Sequence, residues 1–494
     1  MLSPIRILAA LVPLAGFAAT LPLAEIETTI DMARSAPGEF AADGLLRIAA
    51  LEQLTPSVRA GLAEEAFGRA AEAQQPFKRR SAMANRSANA GFLEHAFGQD
   101  LDALSLRVRA VQVMLPLDPG KARRLFSEIP SLDLPFVSCD DFMVFDVDRY
   151  YDALAEVTRH AFTPKEVHEG AAYQFFLQRI AVVASPAQIA PAIRAILSAG
   201  LSDAGFSGAV AALTAALRKT LADDRSFTYS LPAMGEQVLA LIEECRRRGT
   251  PPRPVAEAYR RYLVANLSAP RCADDDIFPG SGMVIGLAYG PPLDTRSTEA
   301  IRLFNQSVRM APLQPIEAQE ATPSDRAGAA SGLRGCESVG CQALARRYRS
   351  LVFDSAGTAV PSVIRETLEW QRQMQAFVAA LGDWQDAAGP EAAQQFREKC
   401  ALYADLIGLL PGGRGREPAL RAMLEYLQRS RSQPIRRIEW LLPVNTLIGR
   451  IGLDPLAFGR IPDELLHSED AVIALYAELE KVAPRPAEAI LRLM

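Results

Sequence analysis

The chain has 494 residues, of which 49% are hydrophobic and 22% are charged, a balance typical of a folded globular protein and not of a disordered or multi-span membrane protein. Its formal net charge of −5 argues against a dedicated nucleic-acid binder, because such proteins need a positive surface to displace counterions from phosphates. A chain of this length predicts roughly two to four domains or one extended repeat array.

The first 24 residues have the composition of a secretory signal peptide. One early arginine precedes an apolar stretch from Ile7 to Ala19, and small residues up to Ala24 are typical of a cleavage site. The stretch contains Pro13 and is shorter than the roughly 20 residues that a membrane-spanning helix needs. We therefore expect residues 1–24 to be removed, and the mature protein to be exported to the periplasm or the exterior without a transmembrane helix.

Apolar residues recur at helical spacing through most of the chain. Between Leu101 and Leu115 they are separated alternately by three and four positions, and Pro116 and Pro119 then end this helix and begin the next. Helices are predicted over residues 38–54, 57–73, 102–115, 119–129, 147–162, 165–184, 187–199, 203–221, 232–248, 254–267, 296–310, 341–352, 361–381, 391–410, 417–431, 435–450 and 469–482. A weak β pattern is found only at 283–289.

Many amphipathic helices joined by short turns predict an all-α fold, arranged as an irregular array of helical hairpins or as an α-solenoid. No strict repeat period is found, so irregular helical domains are an equal alternative. Residues 311–340 are rich in Pro, Gly, Ala and Ser, and we interpret them as a linker. The predicted organisation is an N-terminal helical domain over 25–310 and a C-terminal helical domain over 341–494.

The six cysteines fall into two groups. Cys245 and Cys400 lie within apolar helical stripes and are predicted to be buried thiols that pack like small hydrophobic side chains. The other four lie in polar connecting segments, where an exported protein is expected to form disulfides: Cys139, Cys272, Cys336 and Cys341. The connectivity cannot be deduced from the sequence alone.

Two of these cysteines precede clusters of carboxylates. The clusters are Asp140 and Asp141 after Cys139, and Asp274, Asp275 and Asp276 after Cys272. A disulfide between these two cysteines would bring the five carboxylates together, and a hard cation such as calcium would then stabilise them. The alternative is that these aspartates cap helix N-termini or are solvated in loops. The spacing matches no EF-hand loop, since the turn glycine and the final glutamate are missing.

The sequence signatures of common enzyme classes are not found. There is no Gly-x-Ser-x-Gly elbow, no phosphate loop ending in Gly-Lys-Ser/Thr and no His-Glu-x-x-His. His168 and Glu169 begin like a zinc-protease motif, but Ala172 stands where the second histidine is required. The three tryptophans, Trp370, Trp384 and Trp440, are expected to pack in the core and not to stack on sugars.

A local excess of positive charge lies near the C-terminus. Residues 414–450 contain eight arginines and three glutamates. This segment is a candidate surface for an acidic partner, and the alternative is a solvated helix surface whose arginines pair locally with glutamates.

The predicted function is binding or scaffolding by an exported, helical-repeat-like protein, because helix arrays make large surfaces and no catalytic set is visible. The partner would be a protein or an envelope polymer. The alternative is an enzyme that acts on polysaccharide or peptidoglycan with a pair of carboxylates about 5–10 Å apart. A third hypothesis is a purely structural envelope protein. Calcium is the only cofactor that the sequence indicates.

Overall fold

The computed structural model describes residues 22–75, 77–81, 99–135, 143–219, 226–268, 305, 338–352, 360, 367–387, 389–410, 415–435, 440–441, 443–444, 447–448, 463–468 and 470–484. Nearly all regular structure in these residues is helical, which confirms the predicted all-α class. None of the described helices is both long enough and apolar enough to cross a membrane.

The helices follow one another closely along the chain. Those of the first half are α1 (Leu23–Ser35), α2 (Gly38–Ala49), α3 (Pro56–Arg69), α4 (Ala103–Met114), α5 (Pro119–Ser127), α6 (Asp148–His160), α7 (Pro164–His168), α8 (Ala171–Ile180), α9 (Pro186–Ser198), α10 (Asp203–Lys219), α11 (Ser226–Arg247) and α12 (Arg253–Ser268). Those of the second half are α13 (Val339–Val352), α14 (Leu368–Asp383), α15 (Ala392–Leu409), α16 (Glu417–Ser430), α17 (Asp463–Leu466) and α18 (Ala471–Val482).

Most of the predicted helices are confirmed, and their first turns show why they begin where they do. Asp102 and Asp118 cap α4 and α5 by accepting hydrogen bonds from backbone N–H groups three residues later. The predicted helix over 296–310 lies outside the described residues apart from residue 305, and that over 435–450 is described only in short pieces.

One predicted helix is wrong as a single element. Residues 165–184 form α7 and α8, separated by Gly170 in the left-handed region at φ 82°. Thr163 and Glu166 form a capping box, in which each side chain accepts a hydrogen bond from the other residue's backbone N–H. The left-handed turn at the glycine then ends the first helix and redirects the chain, a role that few other residues can fill.

Helices α1 to α12 pack largely in chain order. Helix α2 lies on α3, α3 on α4, and α4 on α5 and α6, while α9 lies on α6 and α11 and α10 lies on α12. Large side chains fill the space between them, including Phe40, Phe126, Phe176 and Phe206, each fully buried. Up to α6 each helix contacts the next one in the chain, whereas α9 and α10 contact helices two positions later. A regular repeat or solenoid is not shown by these contacts and stays a prediction.

The last described helix packs on the first two. Helix α18 contacts α1 and α2, and the Phe40 and Tyr476 rings meet edge to face with centroids 5.8 Å apart. Gly44 allows this approach, because a Cβ there would lie 3.1 Å from Cβ of Ala33 and 3.5 Å from Cδ1 of Leu479. The predicted linker over 311–340 lies outside the described residues except for 338–340, and the division into two domains stays a prediction.

A small two-stranded antiparallel sheet lies among the helices and was not predicted. Its strands are β1 (Arg79–Ser81) and β2 (Met143–Phe145), with Arg79 opposite Phe145. Three residues per strand are too few to produce a clear alternating pattern, which explains why the sequence gave no signal. The weak β pattern predicted at 283–289 lies outside the described residues.

Helices α13 to α16 form a second group of neighbours. Helix α13 lies on α14 and α15, and α16 lies on α14 and α15. Trp370 and Trp440 are buried, and their indole N–H groups donate to the backbone oxygens of Leu351 and Leu427 at 3.1 and 2.9 Å. The predicted core role is confirmed for these two tryptophans, while Trp384 is half-buried against the same core.

Candidate binding surface

The residues predicted to bind calcium cannot be compared with the structure. Asp140, Asp141, Asp274, Asp275 and Asp276 all lie outside the described residues. Within the described ranges, no group of three or more His, Cys, Asp or Glu side chains is arranged to hold a metal ion. The calcium site stays a prediction.

The described cysteines behave according to their predicted groups. Cys245 and Cys400 are free, buried thiols, as the helical stripes predicted. Burial is the main reason why the pKa of Cys245 is raised to about 11 and that of Cys400 well above its ordinary value. Cys341 is buried and disulfide-bonded, and its partner lies outside the described residues. Cys139, Cys272 and Cys336 also lie outside them, so the predicted Cys139–Cys272 bond stays untested.

Part of the arginine-rich segment is described. In α16, Arg421 donates to Glu417, one helical turn earlier, at 2.8 Å. This is the local pairing that the alternative interpretation of the segment expects.

The structure also shows why residues 168–172 are not a zinc-protease motif. His168 is exposed at the end of the short α7, and Gly170 interrupts the continuous helix that such a motif needs.

A group of three rings and one guanidinium group lies where α5, α6 and α8 meet; Phe126 is fully buried, and the other three members are half-buried. We call it the arginine–aromatic surface and define it by Phe126, Phe162, Phe175 and Arg179. Helix α8 buries Phe176 and Ile180 in the core, which leaves Phe175 and Arg179, four residues apart, on its half-buried flank. The turn at Gly170 determines where this helix begins, and therefore which way its half-buried side faces.

Arg179 sits between two rings. Its Cζ atom lies 4.0 Å from the centroid of the Phe175 ring and 5.2 Å from that of Phe126. Its Nη1 atom donates to the backbone oxygen of Phe175 at 2.9 Å. The Phe162 ring extends the surface, with its centroid 5.4 Å from that of Phe175. Ring contacts, this hydrogen bond and a second one with the Tyr150 hydroxyl therefore hold the guanidinium group, so little side-chain entropy is left to lose on binding.

The charge of Arg179 is not matched by a carboxylate among the described residues. Burial lowers its pKa, and the hydroxyl of Tyr150 partly offsets this effect. Two similar arginines differ in this respect: Arg123 lies over the Phe162 ring and pairs with Glu166 at 2.7 Å, and Arg248 lies over a phenylalanine ring and pairs with Glu244 at 2.5 Å. Arg179 is thus a partly desolvated cation whose neighbours are rings and neutral oxygens.

The carboxylate on the neighbouring helix is already used. The pKa of Glu166 is lowered to about 2, first by the backbone N–H of Thr163 and then by Arg123. Glu166 therefore stays ionised and bound within its capping box at any ordinary pH.

Sequence reasoning missed this surface, although one signal was present. The segment from Gly170 to Ser202 contains Arg179 and Arg194 but no acidic residue. In the structure Arg194 pairs with Asp148 of α6 at 2.8 Å, which leaves Arg179 as the cation of this segment without a described acidic partner. A charge imbalance within a predicted helix is thus a usable sign of a cation that is not paired locally.

Other charged side chains join elements of the fold. Asp100, held at φ 56°, pairs with Lys78 at 2.5 Å and Arg149 at 2.7 Å, and so ties the β1 segment to α6. A non-glycine residue in this conformation is strained, and the two ion pairs offset part of that cost. Because the charge of Asp100 is balanced by these two cations, we interpret the cluster as a structural contact between the β1 segment and α6.

Lys399 of α15 is the most deeply buried lysine among the described residues. Its Nζ atom donates to the backbone oxygen of Trp384 at 2.7 Å and to Asp386 at 3.3 Å, and it lies 4.4 Å from the centroid of the Tyr426 ring. Burial is the main cause that lowers its pKa. A carbonyl, a carboxylate and a ring engage the ammonium group, which anchors residues 384–386 to the helix.

Glu39, in the first turn of α2, is a buried carboxyl group. Burial is the main cause that raises its pKa, and the nearby charge of Glu72 adds to the effect. A raised carboxyl pKa is a property that general acids use.

Comparison with protein-family models, with curated proteins and with solved structures found no match to this chain.

Proposed function

We propose that this protein is an exported binding or scaffolding protein that presents its arginine–aromatic surface to a partner. The observation that carries the proposal is Arg179, a half-buried cation that lies over rings and has no carboxylate partner among the described residues. Partial burial of an unmatched charge is unfavourable, and an anionic group supplied by a partner would offset that cost.

The packing of the helices supports the same role. Many packed helices present a large combined surface, which is how helical arrays bind large partners. Export is proposed from the apolar N-terminal stretch that precedes α1. N-terminal sequencing of the protein from producing cells tests it: a new N-terminus between residues 18 and 26 is expected, and an intact Met1 contradicts it.

The binding role is tested by sedimentation and retention. The mature protein is mixed with purified peptidoglycan sacculi, and in parallel it is immobilised and exposed to an envelope protein extract. We expect saturable binding in one of the two experiments, reduced in the Arg179→Gln variant and unchanged in Arg248→Gln, whose target arginine is already matched by Glu244. Equal retention by wild type and Arg179→Gln, or no retention at all, contradicts the proposal.

An enzyme that uses carboxylates is the second candidate, and Glu39 is the observation in its favour. Glu39 would act as the acid and Glu72 as the second carboxylate, because the two are close enough for Glu72 to raise the pKa of Glu39. The same incubation with sacculi tests it. Release of soluble sugar that is lost in Glu39→Gln supports the enzyme, and sedimentation without release excludes it for this polymer.

Calcium stays part of the proposal as a ligand of Asp140, Asp141 and Asp274–Asp276, with the Cys139–Cys272 disulfide holding the two segments together. Its support is the carboxylate spacing in the sequence, since hard cations prefer several oxygen ligands.

A further inference from the structure

We infer that the arginine–aromatic surface binds a single carboxylate flanked by an apolar side chain, as an acidic peptide segment presents it. This inference rests on the proposed binding function and names the chemistry of the partner. It follows from the number of unmatched charges, from the N–H groups of Arg179 that have no described partner, and from the half-buried rings beside them.

The charge count selects a carboxylate. Arg123 is matched by Glu166, so Arg179 contributes one uncompensated positive charge to the surface. A phosphate group carries about −1.5 to −2 at neutral pH and would be left under-neutralised by one guanidinium, whereas a carboxylate carries one negative charge. The matched charge favours a carboxylic acid over a phosphorylated ligand.

The guanidinium group of Arg179 has more N–H donors than its described hydrogen bonds use. Nη1 donates to the backbone oxygen of Phe175, and no atom of Arg179 is among the enclosed polar atoms that lack a hydrogen bond. A further hydrogen bond engages the hydroxyl of Tyr150, and Arg179 as a whole is half-buried, so part of the residue stays open to solvent. Because the guanidinium group lies over the Phe175 ring, a carboxylate at its open edge would accept two parallel hydrogen bonds.

Apolar side chains lie beside the cation. Phe162 and Phe175 are half-buried, and Val182, three residues after Arg179, is 46% exposed. Val182 lies in the turn that follows α8, two residues beyond the last residue of that helix. An apolar side chain next to the bound carboxylate would cover this surface and add the hydrophobic contribution that a surface ion pair lacks.

The test uses a defined probe, acetyl-Leu-Asp-Phe-amide, and its amide counterpart acetyl-Leu-Asn-Phe-amide. Ligand-observed NMR titration measures the dissociation constant of each peptide for the full mature chain. We expect the Asp peptide to bind at least about tenfold more tightly than the Asn peptide, because the charge-assisted bidentate contact is lost. Equal affinities, or no detectable binding of either peptide at millimolar concentration, overturn the inference. This comparison needs no variant and so does not depend on how a substitution folds.

Three variants locate the contact. Arg179→Gln is expected to weaken the Asp peptide about tenfold or more, and Arg179→Lys less, since lysine keeps the charge but loses the planar fork. Arg248→Gln is the matched control, because Arg248 also lies over a ring but pairs with Glu244. Its affinity for the peptide should equal that of the wild type. An equal loss in the control, or none in Arg179→Gln, places the peptide elsewhere.

The peptide result and the binding function can fail separately. If the wild type is retained by sacculi or envelope protein and the Asp peptide does not bind, the function stands and the carboxylate inference is wrong. If the peptide binds at Arg179 and nothing in the envelope is retained, the site chemistry is right and the proposed role is wrong.

Discussion

The Asp43 carboxylate accepts a hydrogen bond from the hydroxyl of Tyr476 at 2.8 Å, although the two residues are 433 positions apart in the chain. The other oxygen of Asp43 accepts from Arg109 at 2.7 Å. Beside this contact, Arg47 pairs with Glu480 at 2.9 Å and donates to the backbone oxygen of Ala483. These buried polar contacts fix the position of α18 on α2 and α4, which hydrophobic contact alone would leave free to slide.

The first prediction concerns that contact. Tyr476→Phe keeps the ring against Phe40 and removes only the hydroxyl, so we expect the free energy of unfolding to fall by about 1.5–3 kcal/mol, the range for hydrogen bonds to charged groups. Urea denaturation measures the change. Tyr403→Phe is the control, since the buried Tyr403 hydroxyl has no hydrogen-bond partner among the described residues. It should be neutral or stabilising, and an equal loss in both variants would contradict the assignment.

The second prediction compares two glycines in neighbouring helices. Gly44→Ala places a Cβ 3.1 Å from Ala33 and close to Leu479, so overpacking should destabilise the protein by about 1–3 kcal/mol. Gly61 of α3 is exposed, and a Cβ there would meet nothing within 4 Å. Gly61→Ala should stabilise the protein by about 0.5–1 kcal/mol, because alanine loses less backbone entropy on folding. Thermal unfolding of both variants provides the measurement.

The helices were predictable because their signals are local. Apolar spacing, the Asp118–Pro119 start and the buried stripe through Cys400 all lie within one or two turns, so the sequence indicated them directly. The contact of Asp43 with Tyr476 joins the two ends of the chain and left no trace in any short window. The same holds for the β1–β2 sheet, whose strands contain three residues each and are separated in the chain by a segment that includes α4 and α5.

The candidate surface was harder to foresee for a similar reason. Phe175 and Arg179 are visible as a helical pair, but the ring of Phe126 comes from another helix. Whether an arginine is matched depends on carboxylates elsewhere in the fold, as Arg194 shows by pairing with Asp148. The sequence can indicate a local excess of charge, but the packing of the helices determines which charged residue is left without a partner.

The third prediction concerns thiol reactivity. In the native protein, Cys245 and Cys400 should resist iodoacetamide, because both are buried and their raised pKa values keep them protonated. Peptide mass mapping should show both labelled after denaturation. Ser35→Cys places a thiol at an exposed position and serves as the control. Rapid labelling of Cys400 in the native protein would show that the core around it opens.

The fourth prediction tests calcium. If the acidic residues after Cys139 and Cys272 form a site, millimolar calcium should raise the melting temperature, because a ligand that binds only the native state stabilises it. Chelation should reverse the effect, and Asp274→Asn should abolish it. The same melting temperature with and without calcium would leave these aspartates as helix caps or solvated loop residues. Non-reducing peptide mapping should show Cys139 linked to Cys272, and free thiols at both positions would remove the argument that brings the clusters together.

The fifth prediction is the pH dependence produced by Glu39. Its pKa in the folded protein is raised above the ordinary value of 4.5, chiefly by burial, so the native state binds this proton more tightly than the unfolded state does. The stability associated with that proton is present below pH 4.5 and is lost as the pH rises through the folded pKa. Glu39→Gln removes the ionisable group and should therefore be more stable than the wild type at neutral pH.

Urea denaturation of both proteins between acidic and neutral pH measures this difference. It should shrink toward zero as the pH falls, because protonated glutamic acid and glutamine are both neutral. Glu72→Gln removes the neighbouring negative charge and should therefore lower the pKa of Glu39. It should weaken the pH dependence of stability less than Glu39→Gln does, since burial is the larger cause. A difference between wild type and Glu39→Gln that does not vary with pH would show that folding leaves the pKa of Glu39 unchanged, which would also remove the observation that favours an acid catalyst.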